Sequence, residues 1–196
     1  HSQGVLDRVA WVKKRFPQLQ VVGGNIVTGD AALALMDAGA DAVKIEMNAH
    51  AIQATKLCVE RGIEVVGHVG LTPQQLVVGE RPQVRGRRAE EALAIYRQAA
   101  EFERAGACAI VLECVPSELA GAITRRSAVP TIGIGAGTDC DGQVLVYQDL
   151  VGLVHTINPK FIKRYADLET AAASAVTQFA GEVRARSFPT AQQAYA

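Results

Sequence analysis

At 196 residues, with 49% hydrophobic content and only 5% aromatics, the chain has material for one aliphatic-packed α/β domain. Its 20 basic and 20 acidic residues cancel to a formal net charge of zero, which excludes a global field that would draw nucleic acid or an anionic membrane surface. No apolar run approaches the ~18 residues of a transmembrane helix, no basic-plus-apolar leader opens the chain, and the scattered Cys58, Cys108, Cys114 and Cys140 indicate neither zinc nor a disulfide scaffold. A reducing cytoplasm is the expected home, and an opening at His1 without Met reads as a fragment.

Val5 to Arg15 carries apolar residues at helical spacing and basic residues in its last turn, so it predicts a helix that Pro17 stops. A strand is expected over about residues 19–24, with Gly23-Gly24-Asn25 at its end. Thr28 or Asp30 can cap the next helix, which runs through Ala38 to a stop at Gly39. Asp41 to Glu46 reads as a strand, about Ala51 to Arg61 as a helix, and Glu64 to His68 as the next strand. Gly70 to Arg87 is a long polar loop, of a length that in compact domains is functional or disordered. Ala89 to Ala105 is an amphipathic helix, followed by a strand that ends at Glu113 and a helix from about Ser117 to Arg126.

Two further apolar runs, Pro130 to Ile134 and Gln143 to Tyr147, read as strands, and a helix is expected from about Leu168 to Ala185. The strand–helix rhythm predicts parallel pairing with right-handed crossovers. The fold expectation is α/β, a TIM-type (β/α) barrel, incomplete, with six of the eight parallel strands visible and residues 1–196 forming a single domain. Open strand edges in such a wall predict self-association into a homo-oligomer.

In parallel α/β architectures the chemistry gathers at the carboxyl ends of the strands. Glu113 ends a buried run there and is the first candidate for catalysis, although a solvated or helix-capping carboxylate would occupy the same place. Lys44 and Glu46 alternate on one strand and so share a face, as pocket residues or as an internal ion pair. His68 lies inside an apolar run, where a satisfied core histidine is the plain reading. Gly133, Gly135 and Gly137 lack the helix-opening spacing of a dinucleotide site and read as turn or close-approach glycines. Arg85, Arg87 and Arg88 read as a solvated loop edge, with the anionic tail of a ligand as the alternative, and the cysteines as packing residues.

From about Gly39 to the carboxyl end, seven ordered motifs resemble the ketopantoate (3-methyl-2-oxobutanoate) hydroxymethyltransferase family. They are Ala42-Val-Lys-Ile-Glu46, Gly67-His-Val-Gly-Leu-Thr-Pro-Gln74, Val84-Arg-Gly-Arg87, Val111-Leu-Glu-Cys-Val-Pro116, Pro130-Thr-Ile-Gly-Ile-Gly-Ala-Gly137, Asp141-Gly-Gln-Val-Leu-Val146 and Pro159-Lys-Phe-Ile-Lys-Arg-Tyr-Ala166. Residues 1–44 (His1-Ser-Gln-Gly-Val-Leu-Asp-Arg-Val, Val21-Val-Gly-Gly-Asn-Ile-Val-Thr28, Ala38-Gly-Ala-Asp-Ala-Val-Lys44) instead resemble the IMP dehydrogenase/GMP reductase barrel. The chain therefore reads as two segments, 1–44 and 45–196, joined near Gly39-Ala-Asp-Ala-Val-Lys44. An oxidoreductase reading is opposed by Glu46-Met-Asn-Ala-His50, which stands where that family carries its catalytic-cysteine loop.

The resemblance to the hydroxymethyltransferases implies hydroxymethyl transfer from 5,10-methylenetetrahydrofolate to 3-methyl-2-oxobutanoate, the ketopantoate-forming step of pantothenate synthesis. It also implies a magnesium ion that chelates the α-keto acid and stabilises its enolate. By motif match Glu113 is the base at C3, Lys44 and His68 contact the carboxylate and keto group, and Glu46 stands beside the metal through water. The family's two metal aspartates belong before Lys44, in the segment that reads as replaced, which leaves Asn25 to offer a neutral oxygen in place of one. The rival expectation is a recombined barrel scaffold without catalysis.

Overall fold

A computed structural model describes residues 2–26, 28–72, 83–154 and 158–195. By internal contacts the chain divides into two compact units, His1–Val144 and Leu145–Ala196. The first holds the sheet. Its strands, β1 (Val22–Ile26), β2 (Ala42–Glu46), β3 (Glu64–Gly70), β4 (Ala109–Glu113), β5 (Thr131–Ile134) and β6 (Gly142–Gln143), lie side by side in chain order. Every pairing is parallel. A parallel sheet without a reversal of strand order is the wall of a (β/α) barrel rather than a doubly wound sheet. The structure is thus α/β and fits a partial TIM-type barrel.

Helix α1 (Gln3–Arg15) precedes β1, and α2 (Gly29–Asp37), α3 (Ala51–Glu60), α4 (Ala89–Arg104) and α5 (Ser117–Arg126) connect the strands. Thr28 caps α2 by accepting from the Ala31 amide at 3.3 Å. The core lies between these helices and one face of the sheet, because alternate strand residues point the same way. Val43 and Ile45 of β2, Val65 and Val69 of β3, and Ile110 and Leu112 of β4 are fully buried there with Leu35 and Phe102. Gly67 belongs to this face, where a Cβ would stand 2.5 Å from Cγ of Phe102, so the ring packs on bare backbone. The opposite face carries Lys44, Glu46, His68, Val111 and Glu113 in matching register.

Two strands differ from expectation. β1 begins at Val22, about three residues late, because its pairing starts opposite Ala42 and Gly23-Gly24 lies within the strand. A Cβ on Gly23 would meet Leu35 at 2.9 Å and one on Gly24 would meet Lys44 at 2.8 Å, so close approach selects these glycines. β6 is only Gly142–Gln143; Val144 and Val146 are exposed, and Tyr147 opens the short helix α6 (Tyr147–Leu150).

In the second unit α7 (Leu168–Arg184) is capped by the Asp167 carboxylate, which accepts from the Thr170 amide at 3.2 Å. Phe179 meets Phe188 edge to face at 5.4 Å. Among the described residues no helix is long and apolar enough to cross a membrane. All four cysteines are free thiols. The expected long loop falls partly outside the described residues, which omit 73–82.

Candidate active site

Register brings the candidates together. Glu46 stands opposite His68 across β2–β3, His68 opposite Val111, and Glu113 two residues further along β4 on the same face. The His68 ring is fully buried and lies between two carboxylates: Nε2 is 3.0 Å from Glu113 Oε2, and Nδ1 is 3.6 Å from Glu46 Oε1. Neither N–H is aligned for a full hydrogen bond, so both ring nitrogens and both Glu46 oxygens are buried without a satisfied partner. Such a cluster of underpaired polar atoms marks a place shaped for something other than its own packing. Glu113 is its open member, with 18% of the side chain accessible.

The electrostatics agree with that geometry. Burial works against a charge on His68, yet the side chains of Glu113 and Glu46 outweigh it and raise the imidazole above its ordinary value. Burial lowers Lys44, and the charges of Glu113 and then Glu46 oppose the shift through space. His68 is therefore not the satisfied core histidine that its apolar run suggests. It is a buried link between two acids.

The backbone around Glu113 is as specific as its side chain. The Glu113 carbonyl accepts the Leu71 amide at 2.9 Å, and the next carbonyl, Cys114, accepts the Arg85 amide at 2.8 Å. Cys114 takes a left-handed φ of 50° to make this turn, and burial raises its thiol to about 11. No residue pattern signals the conformation at Cys114, because the left-handed region favours Gly or Asn and not Cys. Gly135 and Gly137 do adopt positive φ, and a Cβ on Gly137 would lie 2.6 Å from that of Ser117, which supports the reading of turn and close approach.

Glu46 offers a buried, unpartnered carboxylate, while Asn25 lies in the stretch of β1 where the register to β2 shifts. Among the described residues no group of three or more His, Cys, Asp or Glu is placed to hold a metal ion. Among the described residues, one carboxylate and one neutral amide fall short of the oxygen set that magnesium takes.

The family profile described as ketopantoate hydroxymethyltransferase matches residues 10–191. The 3-methyl-2-oxobutanoate hydroxymethyltransferase of Desulfotalea psychrophila is 42% identical over 201 residues, covering 97% of this chain and 72% of that protein. The enzyme of the same name from Paracoccus denitrificans is 49% identical over 160 residues, 82% of this chain and 58% of its own length. That of Chloroflexus aurantiacus is 50% identical over 156 residues, 79% and 55% respectively. The chain thus spans between about half and three-quarters of the relatives it matches.

These matches lend no support to the expectation of a two-family join. The profile begins at residue 10 and the Desulfotalea alignment runs through the proposed boundary at 44, so nothing supports an IMP dehydrogenase segment. The chain belongs to the ketopantoate hydroxymethyltransferase family.

Proposed function

We propose that this chain carries the family's reaction, hydroxymethyl transfer from 5,10-methylenetetrahydrofolate to 3-methyl-2-oxobutanoate to give 2-dehydropantoate. The observation that carries the reading is the Glu46–His68–Glu113 line across three adjacent strand ends, with Glu113 open to solvent and His68 held toward its protonated form. Glu113 takes the proton from C3 of the oxo acid. His68 donates to the keto oxygen as negative charge develops there, and Lys44 binds the substrate carboxylate. The enolate carbon then bonds to the folate methylene, the C–N bonds break with return of protons to the folate nitrogens, and water supplies the hydroxyl.

Glu46 keeps His68 oriented from behind, which its 3.6 Å approach to Nδ1 supports. Magnesium enters this reading as the measured variable, since the described donors are too few to assign it. A cytoplasmic homo-oligomer is the assembly the reading goes with, a second copy covering an open edge of the sheet.

Calorimetric titration of 3-methyl-2-oxobutanoate with and without magnesium, followed by turnover with methylenetetrahydrofolate, tests the proposal. Glu113→Gln is expected to bind the oxo acid within a few-fold of the parent and to lose about 10²–10⁴-fold in kcat. Normal turnover by Glu113→Gln would remove it as the base. A folded chain that binds no oxo acid under either condition would overturn the proposal.

A further inference from the structure

Beside the ends of β2 and β3 a recess of about 180 Å³ opens, lined among others by Met47, Thr72, Arg85 and one face of α4. Glu91, Ile95 and Gln98 occupy that face at intervals of four and three residues, so their side chains converge on the same space. Met47 and Ile95 give it apolar walls. Arg85 Nη1 and Glu91 Oε1 form a long ion pair at 3.8 Å, beyond hydrogen-bond length, so a donor fork and a carboxylate face the same space with hydrogen-bonding capacity left over. Thr72 is 3% exposed, and its hydroxyl has no hydrogen-bond partner. A buried hydroxyl left unpaired is costly, and it points to a ligand that pairs it.

We propose that this recess binds the 2-amino-4-oxopyrimidine ring of a reduced pterin, and so receives the head of the folate cosubstrate. The inference rests on the folate-dependent reading above and adds the site. The edge of such a ring presents an amino group and a ring N–H side by side, which one carboxylate accepts together as it accepts a guanidinium. Glu91 is that acceptor. Arg85 donates to the 4-oxo group, Thr72 and Gln98 pair the remaining ring nitrogens, and Met47 and Ile95 cover the faces. The space suits one bicyclic ring and leaves the aminobenzoyl-glutamate portion outside. Gly70, also in the lining, pairs with Glu113 across β3–β4, and Met47 follows Glu46 in the chain, so the ring is seated beside the strand ends that carry the acids.

Binding of 6-methyltetrahydropterin, of aminobenzoyl-glutamate and of 3-methyl-2-oxobutanoate is measured by anaerobic calorimetry on the full chain and on Glu91→Gln and Thr72→Val. The pterin is expected to bind, its Kd rising at least tenfold in Glu91→Gln and several-fold in Thr72→Val, with oxo acid binding within twofold and the circular dichroism unchanged. Equal pterin affinity in Glu91→Gln and the parent, or no pterin binding to the parent, overturns the site. Turnover that depends on Glu113 without pterin binding here would leave the reaction standing and the recess refuted. Pterin binding through Glu91 without oxo acid binding would do the reverse.

Discussion

Gly70 stands opposite Glu113 in the β3–β4 register at a φ of 96°, and a Cβ there would be driven into the Glu113 carbonyl and within 2.8 Å of Val115 Cγ1. Since that carbonyl also holds the Leu71 amide, the space is already filled by backbone that cannot turn aside. Gly70→Ala is expected to destabilise the chain by ~2 kcal/mol or more, adding left-handed strain to the collision. Urea unfolding measures this. A Gly70→Ala chain as stable as the parent would mean that the β3–β4 mouth opens at no cost.

His68 makes stability depend on pH. Its folded value is raised above the ordinary 6.5, so the folded chain holds this proton more tightly than the unfolded one. The resulting stabilisation is complete below about pH 6.5 and is lost as pH rises through the folded value. The urea midpoint of the parent should therefore fall between pH 6 and pH 8.5 more steeply than that of His68→Asn. Parallel profiles for the two chains would show that the two flanking carboxylates do not hold the proton.

Phe102 is fully buried and lies on the bare backbone of Gly67, one residue before His68. Phe102→Ala is expected to cost about 3–5 kcal/mol, since Gly67 beneath the ring has no side chain to fill the gap. Phe102→Leu should recover much of the loss. Chemical denaturation of the pair reads both values, and a cost below 1 kcal/mol would show that α4 can settle onto the strand.

Burial sets the reactivity of Cys114. With its thiol raised to about 11, roughly one molecule in a thousand carries the thiolate at pH 8. Alkylation by iodoacetamide, mapped by mass spectrometry, should label the half-buried Cys140 well before Cys114 in the native chain and both alike in urea. Early native labelling of Cys114 would show that the turn following Glu113 opens.

Much of this was legible before the structure. β2, β4 and α5 announce themselves through short apolar runs and their stop signals, and they end where the residues say they do. Period-2 alternation alone placed Lys44 and Glu46 on one face. What it could not give is register: that Glu46 meets His68 and Gly70 meets Glu113 depends on how separate strands slide against one another. The apolar run from Leu19 places β1 about three residues early, because Gly23-Gly24 reads as the end of a strand while its close approach to Leu35 and Lys44 puts it inside one. β6 was overextended because Val144 and Val146 look like core and are exposed. The recess beside α4 had one signal in advance, the spacing of Glu91, Ile95 and Gln98, and nothing marked Thr72 as its partner.

The two outer strands of the sheet are unequal to the rest: β6 pairs through two residues, and β1 is broken by a register shift. The acids and the imidazole ride on β2, β3 and β4, whose pairings run without interruption. Fraying of such a sheet starts at its weakly paired margins and reaches the interior last. Under mild denaturant the amides of Gly142 and Gln143 should accordingly exchange with solvent first and those of Val66 to Val69 near the limit of global unfolding, so that a chain losing its rim still holds Glu46, His68 and Glu113 in order.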